Sequence, residues 1–223
     1  MKTIREVVFN QILARSAVFR TTDLASRARV STAVASRALG GLARANLVAR
    51  VTKGVWAAPE NPLFSPFAVV PYLFTEAEAP RSYVSFLSAL HLHEMVSQIP
   101  GAIHVATGRQ RRTLHTAVGT FRFHCLQPAL LRGFAEGDRS GRFMLATPTK
   151  ALFDTLYVSA RRGKAFRHLP EITIPRTATD HEMQRWLLLI KSKSTRELVN
   201  RRWRDLLSHS QERSVRGQTW RTA

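Results

Sequence analysis

The first sixty residues contain three short stretches with helical periodicity, followed almost without a spacer by two short strand-like runs. Apolar residues recur at helical spacing over residues 3–14, which predicts a first amphipathic helix. Thr22 and Asp23 suit the start of a second helix over residues 23–27, because a hydroxyl caps free N–H groups and a carboxylate suits the positive end of the helix dipole. Ser31 is a suitable cap for a third helix, over residues 31–45.

The third stretch has an apolar side and a polar side. At helical spacing, the apolar side is expected to hold Val34, Ala38, Leu42 and Ala45. The other sides are expected to hold Thr32, Ser36, Arg37 and Arg44. The third helix is therefore predicted to bury one side and to present hydroxyl and guanidinium groups to solvent.

The strand-like runs, residues 47–51 and 55–58, are joined at Thr52, Lys53 and Gly54. Gly54 supplies the permissive backbone that a tight turn favours, so this segment is predicted to be a β-hairpin with a cationic tip. Three helices followed by such a hairpin are the element order of a winged helix-turn-helix, which we predict for residues 1–60.

Asn61-Pro62 and Ser65-Pro66 indicate a boundary near residue 60, and residues 61–208 are expected to form a second domain. Its patterns predict a helix over residues 82–96 and strands over residues 103–107, 113–118, 121–126 and 142–146, the middle two joined at Gly119-Thr120. Thr147-Pro148 is a helix start. The predicted fold class is α+β: an N-terminal winged helix-turn-helix, then a mixed domain with a small antiparallel sheet packed by helices.

Two terminal helices are predicted from capping boxes, Thr179 with Glu182 and Ser194 with Glu197. Periodicity is lost after Ser208, so residues 209–223 are expected to form a basic, disordered tail.

The net charge of +19 favours a polyanionic partner. Residues 1–58 contain ten Lys and Arg and two acidic residues, and residues 161–223 contain fifteen Lys and Arg and six acidic residues. Residues 59–160, between them, are nearly neutral, with nine Lys and Arg and seven acidic residues. Arginine predominates, and its planar fork suits phosphate and guanine. The sequence has no apolar run of the roughly 20 residues that a membrane span needs and no signal-peptide pattern, so we expect a cytoplasmic protein that does not bind membranes.

The expected partner is double-stranded promoter DNA with repeated half-sites. The third helix would enter the major groove, where Thr32, Ser36 and Arg37 are expected to contact bases, with Arg37 the best candidate for a guanine. Phosphate contacts are expected from Thr21, Thr22, Arg44, Arg50 and Lys53, and Ser31 belongs to the same interface. Arg109, Arg111 and Arg112 fit a second basic contact or a solvated loop equally well.

No catalytic, cofactor or metal site is expected. The five Asp residues are scattered, and Asp154 is expected to be an ion-pair or capping partner within the second domain. His91 and His93 point to different sides of a helix, and His124-Cys125 has no second Cys/His pair for zinc. Cys125 lies in an apolar strand pattern and is expected to be buried and inert. Two alternatives stay open: a nucleic-acid-processing enzyme targeted by the winged helix, and a one-component regulator whose second domain senses an effector.

Residues 3–175 resemble the AbiEi-type antitoxins of type IV toxin–antitoxin systems. The resemblance is carried by the N-terminal segment and by residues 83–91 (YVSFLSALH), 103–107 (IHVAT) and 146–154 (ATPTKALFD), in the family's order. Where many members have an acidic residue after the proline of the last segment, this chain has Thr149 and Lys150. The resemblance implies a transcriptional autorepressor in phage defence, linked functionally to a nucleotidyltransferase toxin without requiring a stable complex.

Overall fold

The computed structural model describes residues 3–137, 142–161, 166 and 169–219. Within these residues the protein is mixed α+β, with seven α-helices, nine strands and two sheets. The first unit comprises α1 (Ile4–Val7, continued by a π-helical turn Val8–Ile12), β1 (Val18–Arg20), α2 (Thr21–Ala28), α3 (Thr32–Arg44), β2 (Ala49–Thr52) and β3 (Val55–Ala57).

Both ends of α2 differ from the sequence prediction. The helix begins at Thr21, and the Asp23 carboxylate accepts a hydrogen bond of 2.7 Å from the N–H of the N-cap residue, Arg20. Asp23 rather than Thr22 therefore satisfies the start of the helix. The helix ends at Ala28, and the next residue, Arg29, has a φ of 53° in the left-handed region, which turns the chain towards α3.

Helix α3 begins as predicted, with the Ser31 hydroxyl accepting a hydrogen bond of 3.3 Å from the Val34 N–H. Its buried face was predicted one residue out of place. Ala35 and Leu39 are buried, whereas Val34 is only half-buried and Ala45 is exposed. The short side chains of α3 left the periodicity ambiguous by about one helical step.

The first sheet has the order β1-β3-β2, and both pairings are antiparallel. The β2–β3 hairpin is confirmed, and Gly54 adopts a φ of 75° in its turn. Strand β1 was not predicted; it is three residues long and pairs with β3 more than thirty residues later, with Val18 opposite Ala57.

The second sheet has six strands in the order β6-β7-β5-β4-β9-β8. They are β4 (Tyr83–Val84), β5 (Ile103–Thr107), β6 (Leu114–Thr116), β7 (Gly119–Cys125), β8 (Phe134–Glu136) and β9 (Met144–Ala146). The prediction of an antiparallel sheet is confirmed for three of the five pairings, β4–β5, β6–β7 and β8–β9. It is wrong for the other two, because β5 pairs with β7 and β4 with β9 in parallel. The predicted hairpin exists, but it turns at residues 117–118 rather than at Gly119-Thr120.

The helix predicted over residues 82–96 is shorter than expected. Its first residues form β4, and α4 covers only Phe86–Leu92. Phe86 has a φ of 56°, which breaks the regular backbone between the two elements. Short 3-10 helices, Pro66–Leu73, Ala79–Arg81 and Pro128–Leu130, occupy the loops around the sheet.

Helices α5 (Pro148–Ala160), α6 (Asp180–Leu188) and α7 (Lys193–Thr219) complete the fold. Thr147 and Thr179 cap α5 and α6 as predicted. The residue that caps α7 is Ser192 rather than Ser194, because the Ser192 hydroxyl accepts from the Thr195 N–H. The backbone stays helical beyond Ser208 to Thr219, which corrects the expectation of a disordered tail up to that residue.

The two sheets share one hydrophobic cluster. Val51 and Val55 of the hairpin pack in it with Val69 of the first 3-10 helix and with Val105 and Phe121 of the second sheet. The density of basic residues falls near residue 60, but the hydrophobic core continues across that point. Across the described residues, no helix combines the length and the apolar composition that crossing a lipid bilayer demands.

Candidate nucleic-acid interface

Helix α3 presents a polar face to solvent, formed by Thr32, Ser36, Arg37 and Arg44, all exposed. Thr32 and Ser36 are four residues apart and share one side of the helix, whereas Arg37 is turned by about 100° from Ser36 onto the adjoining side. Arg44 is two turns beyond Arg37 on the same side, and the face is about 18 Å long at a rise of 1.5 Å per residue. The α3 polar face is therefore a strip of exposed hydrogen-bond donors, interrupted by Ala33 and Gly40.

Ser31 contributes mainly through the helix start that it caps. It is exposed, and its hydroxyl is engaged with the Val34 N–H. The backbone N–H groups of the first turn point out of the helix end, where the dipole favours an anion. Ser31 thus keeps this end of α3 intact at the surface.

The two threonines at the start of α2 have different roles. The Thr21 hydroxyl oxygen accepts a hydrogen bond of 2.9 Å from the Trp56 indole N–H, and the Thr21 backbone N–H donates to the Gly54 carbonyl oxygen, also at 2.9 Å. Thr21 is half-buried and ties α2 to the hairpin, so its hydroxyl is occupied within the protein. Thr22 is exposed and faces solvent.

The hairpin carries its charges on the outside. Arg50 and Lys53 are exposed, while Val51, Val55 and Trp56 are buried beneath them. Arg29, in the turn before α3, is exposed as well. Arg29 was not among the residues predicted for the interface, although the break at residues 28–30 is visible in the sequence and exposed arginines commonly contact phosphates.

The cations of the first unit have no carboxylate partner among the residues that the structure describes. The ion pairs in which both partners are described residues join Glu78 to Arg109 and Arg111, and Lys150 to Asp154. An exposed guanidinium or ammonium group without an internal partner is available to an external anion. The first unit thus combines a strip of donors with unpaired positive charge.

The three arginines of residues 109–112 are not equivalent. The Arg111 guanidinium lies 4.6 Å from the Phe74 ring centroid, donates to the Glu78 carboxylate at 2.8 Å and to the Leu73 carbonyl oxygen at 3.0 Å, and is 30% exposed. Arg109 is 81% exposed and lies 3.9 Å from Glu78. Hydrogen bonds from the Thr75 N–H and hydroxyl, with the charges of Arg111 and Arg109, lower the pKa of Glu78. Arg111 is therefore a structural residue, and Arg112 is the one exposed arginine of this group without an ion pair among the described residues.

A buried polar cluster joins two residues of α5 to the segment that contains β4. Lys150 and Asp154 are both 0% exposed and form an ion pair, and the Asp154 carboxylate also accepts hydrogen bonds from Ser85 at 2.7 Å and Tyr83 at 3.1 Å. Burial lowers the pKa of Lys150 and raises that of Asp154. The expectation that Asp154 is an ion-pair partner is confirmed, and both groups are inaccessible to a ligand.

The histidines form internal contacts. His93 Nε2 lies 2.7 Å from the Ala146 carbonyl oxygen, and His104 Nδ1 lies 2.9 Å from His124 Nε2. Burial is the main cause that lowers the pKa of His104 to about 3 and that of His124 to about 4. Among the described residues, no three His, Cys, Asp or Glu side chains gather closely enough to hold a metal ion. Cys125 is half-buried, not buried as expected.

The chemistry available at the surface of the first unit is thus donation of hydrogen bonds and attraction of anions. No family model matches this chain, and no curated protein is significantly similar to it in sequence.

Proposed function

We propose that the first unit is a winged helix-turn-helix that binds double-stranded DNA, with α3 in the major groove and the β2–β3 hairpin as the wing. The observation that carries the proposal is the α3 polar face, a solvent-exposed donor strip beside a cationic hairpin, free of carboxylates among the described residues. An α-helix fits the major groove of B-DNA, and DNA offers acceptors on its phosphates and on its guanine edge.

The early part of the α3 polar face would contact bases. The Arg37 guanidinium suits the O6 and N7 acceptors of guanine, to which it donates two parallel hydrogen bonds. Thr32 and Ser36 suit hydrogen bonds to base edges, and the Thr32 methyl suits a thymine methyl. Together they give the sequence-reading part of the interface.

Residues around this strip would bind phosphates. Arg44 lies at the far end of α3, Arg50 and Lys53 on the hairpin, and Thr22 at the start of α2, and all are exposed. Phosphate contacts fix the position of the protein on the duplex and contribute affinity without reading sequence. Three ionic contacts of this kind imply that log K falls with log salt concentration with a slope of about −2.7.

The experiment that tests this proposal is selection of duplexes from a random library by the full chain, followed by fluorescence anisotropy on the enriched sequence over a range of salt concentrations. We expect an enriched motif, with half-sites repeated if the chain binds as a dimer, and an affinity that declines with salt. Failure to bind any duplex at low salt would overturn the proposal.

The resemblance to AbiEi-type antitoxins extends the proposed DNA binding to a role in regulation. We infer that the protein represses its own promoter and counteracts a nucleotidyltransferase toxin encoded beside it. A reporter under the upstream region of the gene tests repression, and co-expression with the neighbouring reading frame tests antitoxicity. Growth arrest by the neighbour that this chain does not relieve would remove the antitoxin role and leave DNA binding intact.

A further inference from the structure

A concave cleft of about 720 Å³ separates the hairpin from the second sheet; we call it the junction cleft. From the first unit it is lined by Arg20, Thr52, Lys53 and Val55. The second part of the chain contributes residues 72–76, Arg111, Arg112, Leu114 and Phe123. This volume lies within the range of about 300–1,000 Å³ that small-molecule sites occupy.

The charges on the cleft wall are strongly unbalanced. Four cationic side chains line it, and Glu76 is the one carboxylate among the lining residues. Arg111 is neutralised by Glu78, but Arg20, Lys53 and Arg112 form no ion pair with a described carboxylate. A concave wall concentrates the field of such charges and favours an anion inside.

Two of the guanidinium groups are held in place before any ligand arrives. Arg20 lies 5.4 Å from the Tyr72 ring centroid and makes a long hydrogen bond of 3.5 Å to the Phe74 carbonyl oxygen. Arg111 lies over Phe74, which packs edge-on against Phe123 at 5.8 Å between centroids. Of these two, Arg20 is the one that forms no ion pair with a described carboxylate, and a stacked arginine loses little further conformational entropy on binding an anion.

The walls also contain apolar surface beside the cations, contributed by Tyr72, Leu73 and Phe123. A mixed wall of this kind suits a ligand that has both phosphate groups and an organic ring. A duplex backbone is convex and contacts exposed ridges, whereas part of the lining of this site, Val55 and Phe74, is buried. The geometry therefore favours a small ligand over an extension of the DNA surface.

We propose that the junction cleft binds a small phosphate-bearing ligand of the nucleotide class, with its phosphates on Lys53, Arg112 and Arg20. Lys53 also belongs to the wing of the proposed DNA interface, so the regulatory consequence rests on the proposed function. A phosphate held by Lys53 in the cleft removes that ammonium from the duplex. Ligand and DNA then oppose each other, and by linkage each weakens the binding of the other by the same factor.

The test is isothermal titration calorimetry of the full chain with pyrophosphate and, separately, with ADP, at low salt and without metal. We expect saturable binding at one site, tighter for ADP if the aromatic wall contacts the nucleoside. Arg112→Gln and Lys53→Gln are expected to weaken binding at least about tenfold, the loss of one charge-assisted hydrogen bond. The matched controls are Arg109→Gln in the same loop and Arg50→Gln in the same hairpin, neither of which lines the cleft.

The proposal would be overturned if neither pyrophosphate nor ADP showed saturable binding. It would also be overturned if the cleft variants and their controls lost ligand affinity equally. If Arg112→Gln weakens duplex binding while neither compound binds, the cleft belongs to the duplex surface and the proposal is wrong. Binding of ADP without any binding of duplex would instead overturn the proposed function and keep the cleft site, so the two failures are distinguishable.

Discussion

The indole N–H of Trp56 donates a hydrogen bond of 2.9 Å to the Thr21 hydroxyl, and this contact joins the start of α2 to the third strand of the first sheet. Trp56 is 5% exposed, so its N–H has no easy access to water. Loss of this acceptor leaves a buried donor without a partner.

We therefore expect Thr21→Val to lower the free energy of unfolding by about 1–3 kcal/mol, the cost of an unsatisfied buried polar group. Thr22→Val, next along the chain and exposed, is the matched control and is expected to change stability by less than about 0.5 kcal/mol. Urea unfolding monitored by tryptophan fluorescence measures both. Equal losses in the two variants would show that the Trp56 contact contributes nothing.

Arg37 is expected to determine base preference. Arg37→Ala should weaken binding to the selected duplex by about 1–3 kcal/mol, since one bidentate guanine contact is lost, and should change binding to random duplex much less. Arg37→Lys keeps the charge but not the fork, so it should leave binding to random duplex unchanged and still lose the preference for the selected duplex. Anisotropy titrations on both duplexes separate these outcomes; parallel losses on the two would contradict a base contact.

Lys53 is expected to contribute affinity without sequence preference. Lys53→Ala should weaken binding to selected and random duplexes by the same factor and make the salt slope shallower by about 0.9, the contribution of one phosphate contact. Titrations at four or more salt concentrations measure the slope. An unchanged slope would place Lys53 away from the phosphates.

The buried Lys150–Asp154 pair is expected to be strongly coupled. Asp154→Asn leaves the Lys150 ammonium without its counter-ion in the core and should cost about 3–5 kcal/mol of stability. Replacing both residues, Lys150→Met with Asp154→Leu, should cost less than the sum of the single replacements, because neither charge is then left alone. Chemical unfolding of the wild type, Lys150→Met, Asp154→Leu and the double variant gives the coupling energy, and strict additivity would argue against the pair.

Acid should destabilise the protein through His104 and His124. The unfolded histidines bind protons near their usual pKa of 6.5, whereas in the folded protein the pKa values are lowered to about 3 and about 4. Between about pH 4 and 6.5 the unfolded state binds more protons, so the free energy of unfolding falls as pH falls, by at most about 1.4 kcal/mol per pH unit for each histidine.

Replacement of His104 and His124 by Gln should make the free energy of unfolding depend less on pH, as measured by urea unfolding between pH 4.5 and 7. His115→Gln, at an exposed position, is the control. A steep dependence that persists in the double variant would have another origin.

The parts of the fold that were predicted correctly depend on local signals. The Ser31 cap, the Gly54 turn and the Thr147-Pro148 helix start are each fixed by residues within a few positions of one another. The errors lie where the structure depends on pairing between segments that are far apart in the sequence. Strand β1 exists only because β3 pairs with it, and the parallel pairing of β5 with β7 follows from how the chain crosses the sheet, which periodicity does not encode.

The candidate sites also divide into one that local sequence signals predict and one that depends on distant segments. The α3 polar face could be read from helical spacing, but the junction cleft could not, because Arg20, Lys53 and Arg112 come from three separate segments. The histidine pair was missed for the same reason. In the parallel register, His104 lies opposite Arg122 and Ala106 opposite His124, which puts both imidazoles on one side of the sheet.

The hydrophobic cluster that spans both sheets limits how the chain can be divided. A fragment ending near residue 60 would leave Val18, Val51 and Val55 uncovered, and such a patch favours self-association over correct folding. Engineering that treats the two halves as interchangeable modules should therefore fail: the first half depends on the second for its solubility, and a swap would have to carry Val69, Val105 and Phe121 along with it.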